Sequence, residues 1–155
     1  FLKVVQLKEI QNQESIQMIN SEKAKALSDI VSRARNGCDG HIRHALNRGF
    51  VYTSGVDEFA KAGECHWLID LLAFEPAKIF ATEWDFGRCG HGMIHVGVRN
   101  GFARIELTLE DGAPPAWRYT THTTLPDGSW EFMLARDGLL DPGRNVTVLL
   151  LPAEY

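Results

Sequence analysis

The sequence predicts an α+β domain, with N-terminal helices packed on a five- or six-stranded antiparallel meander sheet. Two observations point there. Residues 1 to 36 hold no Gly and no Pro and are rich in Gln, Lys, Glu and Ala, whereas from Ile79 onward the apolar residues recur at every second position between turn-forming stretches. Helices first and strands after is the order of α+β folds rather than of parallel doubly wound sheets. At 155 residues, 45% hydrophobic and 23% charged, the chain can bury a core without disulfides or metal to hold it.

From Ser21, a plausible N-cap, Ala24, Leu27, Ile30, Val31 and Ala34 recur at helical spacing, and Asn36-Gly37 supplies a stop. Leu2 to Asn20 carries two patterns. Val5 and Leu7, then Ile16 and Met18, alternate as in strands, while Val4, Leu7 and Ile10 fit a helix, which is the reading adopted. The chain thus divides into an N-terminal helical extension, residues 1–37, and a single α+β domain, residues 38–155. Phe50 to Thr53 reads as a short extended piece, after which Thr53 or Ser54 can cap a helix reaching Ala62 before Gly63. A second helix, Glu64 to Phe74, has Trp67, Leu68, Leu71 and Leu72 as its buried stripe and Pro76 as its end.

The best-defined strand pair surrounds Asn100-Gly101, because both central residues of a type I′ turn need positive φ. Counting outward pairs Arg99 with Phe102, Val98 with Ala103, Val96 with Ile105 and Ile94 with Leu107, and that apolar set faces the core. The other face pairs Gly97 with Arg104, His95 with Glu106, Met93 with Thr108 and His91 with Glu110. Three further alternating runs follow, around Trp117, Trp130 and Val146, with Pro126-Asp127-Gly128 and Asp141-Pro142-Gly143 as turns.

A formal charge of −4 argues against general attraction to phosphate backbones, so nucleic acid is not the expected partner. Arg33, Arg35, Arg43 and Arg48, with His41 and His44 among them, form a local basic exception that reads as a solvated helix end and loop. Cys38, Cys65 and Cys89 contain no C-x-x-C pair and cannot all pair within one chain, which fits a reducing cytoplasm. No apolar run is long enough to span a bilayer, so no membrane association is expected.

Cys89-Gly-His91-Gly-Met-Ile-His95 has the ligand types of a zinc clip. On one extended strand, however, His91 and His95 would sit about 13 Å apart at roughly 3.3 Å per residue, too far for one ion. No cofactor is expected, and a site at Cys89, His91 and His95 is the lesser alternative. His95 and Glu106 could form a modest surface ion pair. Nucleophile elbows, Walker loops and dinucleotide fingerprints are absent. Cys65 and His66, adjacent on a helix, lie about 100° apart and form no dyad by themselves. Trp67, Trp84, Trp117 and Trp130 read first as core, with Trp84 and Trp117 as candidates to anchor a partner.

Arg43-His44 with Leu46, then Tyr52-Thr53-Ser54-Gly55-Val56, Ala62, Trp67-Leu68-Ile69-Asp70, Glu110-Asp111-Gly112 and Leu151-Pro152-Ala153-Glu154-Tyr155 together resemble a family of small single-domain proteins of unknown function from phages, plasmids and bacterial genomes. The resemblance covers about residues 38 to 155. It implies a compact α+β fold and a mobile-element setting, and carries no catalytic residues across. Physically, Leu-Pro-x-Glu-Tyr suggests a last strand pinned by its end, with Tyr155 packing, and Asp70 is placed to cap or to pair with Arg43 or His44. The expected function is that of a non-enzymatic accessory protein that binds a host or phage protein, in one form as an anti-defence inhibitor. Its binding residues would include Arg43, His44, Arg48, Trp84 and Trp117. A small metal- or thiol-dependent enzyme using the Cys/His site around residues 89–95 is the alternative, and a homodimer is left open.

Overall fold

The computed structural model describes residues 2–34, 40–137 and 145–155. Among them, four α-helices and seven strands form one mixed sheet covered by helices: α1 (Leu2–Arg33), β1 (His41–Arg43), β2 (Phe50–Thr53), α2 (Ser54–Gly63), α3 (His66–Leu72), α4 (Glu75–Asp85), β3 (Gly92–Arg99), β4 (Phe102–Thr108), β5 (Trp117–His122), β6 (Gly128–Asp137) and β7 (Val146–Leu150), with a 3₁₀ turn at Pro152–Glu154. The α+β class holds. The order across the sheet is β1-β2-β7-β6-β3-β4-β5, and β2 runs parallel to β7 while all other pairs are antiparallel.

Two features break the expected meander. Phe50 to Thr53 is a full sheet member, and with His41–Arg43 it adds a hairpin to one edge. The second is a crossover. After β5 the chain passes over the tip of the β3–β4 hairpin, where Thr123 N–H donates to the Gly101 carbonyl (2.9 Å) and Asn100 N–H to Asp127 Oδ1 (2.9 Å). Those bonds tie the loop across the hairpin end and deliver β6 to the far side of β3, so β6 never pairs with β5.

The hairpin itself matches the expected register residue for residue from Arg99↔Phe102 to Met93↔Thr108. Asn100 and Gly101 have φ of 52° and 79°, the left-handed pair that a type I′ turn requires. Ile94, Val96, Val98, Ala103, Ile105 and Leu107 are all buried. The pairing stops at Met93, so His91 has no cross-strand partner in Glu110.

The helices depart further from expectation. Instead of one helix from Glu64 to Phe74 closed by Pro76, α3 is short and Pro76 opens α4, which extends to Asp85. A proline lacks the N–H that the first turn leaves unused, so it starts a helix as readily as it ends one. Ala77, Phe80 and Trp84 then recur at helical spacing, with Phe80 buried and Trp84 packed at the core margin. The strands of the second half of the chain therefore begin at Gly92 and not near Ile79. Ser21 lies inside α1, which is continuous from Leu2 and whose Leu27 and Ile30 join the core. Asn36-Gly37, Asp141-Pro142-Gly143, Arg35 and Cys38 fall outside the described residues.

One face of the sheet carries the main core, where Phe59 of α2 meets Trp130 and Phe132 edge-on at ring distances of 5.9 and 5.1 Å. On the other face Val51, Met133, Val148 and Leu150 form a smaller buried cluster. β7 is thus buried on both faces, which accounts for its unbroken apolar composition around Thr147.

Candidate functional site

One gathering of polar groups lies where β2, α2, α3 and the chain end meet. It begins with the turn joining β1 to β2. His44 is buried, held edge-on by Phe50 and Phe74 at ring distances of 6.1 and 5.6 Å. Its Nδ1 accepts the backbone N–H groups of Leu46 (3.2 Å) and Asn47 (3.1 Å). That nitrogen therefore carries no proton, and Nε2–H donates to Asp70 Oδ1 at 2.8 Å. The contact is a charge-assisted hydrogen bond from a neutral ring rather than an ion pair. Asn47 adds a bond from its amide to the Ala73 carbonyl (2.6 Å), so the whole turn is latched to the end of α3.

A second fastening joins the chain end to α2. Thr53 Oγ1 accepts from Val56 N–H (3.2 Å), capping α2, and donates to Glu154 Oε2 (2.7 Å). The same carboxylate oxygen accepts the Leu151 N–H at 2.9 Å. A carboxylate at a helix N-terminus is favoured by the helix dipole. Gly55 permits the approach, because a Cβ there would collide with Glu154 Oε1 and stand 3.2 Å from Leu151 Cδ1.

Between these fastenings lies an ionic patch. Asp57 accepts from Lys61 Nζ (2.7 Å) and from His66 Nε2 (3.1 Å). Burial would raise the Asp57 carboxyl, but the bonds from Lys61 and His66 outweigh it and hold the group below the ordinary carboxylate range. Tyr52 on β2 faces the same patch. Burial pushes its phenol above the usual value, helped by the charges of Asp57 and Asp70. Tyr52 is thus a protonated donor at neutral pH and no nucleophile. The two described thiols are no better suited to attack: burial pushes Cys65 up to about 11, and burial with the Glu83 charge raises Cys89.

Of the residues expected to bind a partner, Arg43 donates to the Arg48 carbonyl across its own turn, and His44 is the latch. Trp84 and Trp117 both pack at the margin of the core, Trp84 beneath the Arg136 guanidinium (5.7 Å) and Trp117 stacked on Tyr119 (6.0 Å). They sit on α4 and on β5, the edge strand opposite to β1. Arg33, expected in a basic cluster, pairs with Glu58 at 3.0 Å. His95 Nδ1 pairs with Glu131 (3.1 Å) from β6, and its Nε2 lies 3.3 Å from Thr108 Oγ1. Glu106, its register partner, is taken by Arg104 and Arg118 instead. His91 rests beside the Tyr155 ring at 6.3 Å and Cys89 packs toward the core. Among the described residues, no three His, Cys, Asp or Glu side chains gather in a geometry that could hold a metal, and no helix is long and apolar enough to cross a membrane.

Residues 33–155 match the model of the family of unknown function DUF6876. The chain belongs to this family. Its DUF6876 region takes in all seven strands and α2 to α4, while all but the last residue of α1 precedes it. No curated protein matches the chain, and no solved structure does. Several of the residues that carry the resemblance are fasteners, His44 with Asp70 and Thr53 and Gly55 with Glu154, while Gly112 takes a positive φ of 76° in the turn after β4. Of the roles open to Asp70 in the sequence, a cap or a pair with Arg43 or His44, the structure shows the pair with His44; Glu154, and not the exposed Tyr155, does the pinning. The Asp57 patch was missed. Its one sequence signal is the i,i+4 spacing of Asp57 and Lys61.

Proposed function

We propose that this DUF6876 protein acts by binding another protein and performs no chemistry of its own. The observation that carries the reading is how the reactive groups near the candidate site are used. His44 has both ring nitrogens engaged, the Glu154 and Asp57 carboxylates each take two donors, and the thiol of Cys65 is sealed in the core. Apolar surface, by contrast, is left open. Leu46, Phe74 and Phe86 are exposed, and Phe74 with Ile79, Lys78, Thr82 and Asn47 lines a cleft of about 700 Å³. Clefts of that kind receive the aromatic or aliphatic anchors that dominate protein interfaces. The phage or plasmid setting implied by the resemblance makes a host or phage protein the partner, and inhibition of a defence component the purpose. Cytoplasmic action follows from the same reading.

The test is affinity capture by the full chain from lysates of several bacterial hosts, run beside a chain carrying Lys78→Glu and Thr82→Arg, two exposed residues that line the cleft. A stoichiometric partner that the substituted chain fails to retain supports the proposal. Absence of any stoichiometric partner across the hosts overturns it, as does a partner held equally by both chains for the cleft itself.

A further inference from the structure

Every residue of α1 from Leu2 to Glu22 is exposed, including Leu2, Val5, Ile16 and Ile19. Only the last turns, at Leu27 and Ile30, enter the core. Six turns of helix standing free in water, with β-branched residues among them, have little intrinsic stability, since helices in proteins owe most of theirs to tertiary packing. Gln17, Asn20 and Ala24 look across an open polar groove at the loop 123–127, and none of the apolar residues from Leu2 to Ile19 lines that groove.

Positions 2, 5, 9, 12, 16 and 19 follow one another at alternating steps of three and four, the spacing of a two-helix seam. Their occupants are Leu2, Val5, Glu9, Asn12, Ile16 and Ile19. Read from either end the series is the same in kind: two apolar, two polar, two apolar. That symmetry about a midpoint is what an isologous antiparallel contact demands, because each residue then meets the residue at the mirrored position in the partner. We propose that α1 docks antiparallel on α1 of a second copy of this chain, pairing Leu2 with Ile19, Val5 with Ile16 and Glu9 with Asn12.

Charge selects the antiparallel arrangement over the parallel one. In a parallel seam Glu9 would face Glu9, a like-charge contact at a buried position. Antiparallel, the Glu9 carboxylate faces the Asn12 amide, which can donate to it, and a polar pair in an apolar seam also fixes register. The contact spans about 26 Å at 1.5 Å per residue. It is short, so association belongs to the weak end of specific interfaces. This self-association is independent of the cleft described above.

The test is sedimentation of the full chain up to roughly 100 μM, within the range of weak specific association, alongside Val5→Glu and Ile16→Glu. The expected result is a monomer–dimer equilibrium that both substitutions shift at least tenfold toward monomer, with unchanged thermal unfolding of the strand-rich domain. A monomeric parent chain overturns the proposal, and so does a dimer indifferent to both substitutions. Orientation is read by mild oxidation: Leu2→Cys mixed with Ile19→Cys is expected to cross-link beyond the parent chain's background, whereas Ile19→Cys cross-linking chiefly with itself overturns the antiparallel seam.

Discussion

The corner where β2, α2, α3 and the chain end meet and the free length of α1 are opposites. At the corner, the His44 ring makes three hydrogen bonds and the Glu154 carboxylate two, and a glycine clears the space for the carboxylate. Along α1 from Leu2 to Glu22 nothing is buried, although eight large apolar side chains lie on it. The difference teaches that polar residues with a distinctive pattern need not mark chemistry. Here they close the fold, and the segment without distinctive residues is the one with surface to spare.

The sharpest way to break that contrast is His44→Ala. It empties a buried ring site and strands the N–H groups of Leu46 and Asn47, for an expected loss of about 3 kcal/mol in urea unfolding. Ile10→Ser, at an exposed α1 position outside the proposed seam, is expected to change stability by less than about 0.5 kcal/mol. Equal effects at the two sites would erase the distinction.

A second measurement separates the chain-end clasp from general packing. Gly55→Ala should displace the Glu154 carboxylate and cost about 2 kcal/mol through its lost charge-assisted bonds. In a Glu154→Ala background the obstacle is gone, so the same substitution should cost far less. Additive effects in this cycle would mean that Gly55 serves something other than the carboxylate.

How much of this was legible in the sequence depends on the range of the interaction. The β3–β4 hairpin was readable to the residue because two turn positions and a period of two dictate its register locally. The cap of α2 by Thr53 was local as well. Pro76 misled because its missing N–H suits a helix start and a helix end alike, and the choice depends on Phe80 reaching the core. The parallel pairing of β2 with β7 and the Thr53–Glu154 bond join residues about a hundred positions apart, and no local pattern encodes them. His95 is the intermediate case: its strand and face were readable, but its carboxylate comes from β6, whose place beside β3 depended on the crossover at Asp127.

The smallest expected effect concerns the ionic patch, and its direction with pH is what makes it informative. Asp57 has a folded-state pKa below its ordinary value of 3.8 because Lys61 and His66 together outweigh its burial. A depressed carboxylate contributes stability that is fully present above the unfolded-state pKa and is lost as pH falls through the folded value. The stability advantage of the parent chain over Asp57→Asn should therefore shrink as pH drops from about 5 through 3.8 and below, followed as the difference in urea midpoints. An advantage that grows on acidification would mean that burial outweighs the two donors. The patch would then be a strained group held for binding, unlike the two fastenings beside it, and the corner would no longer be uniformly structural.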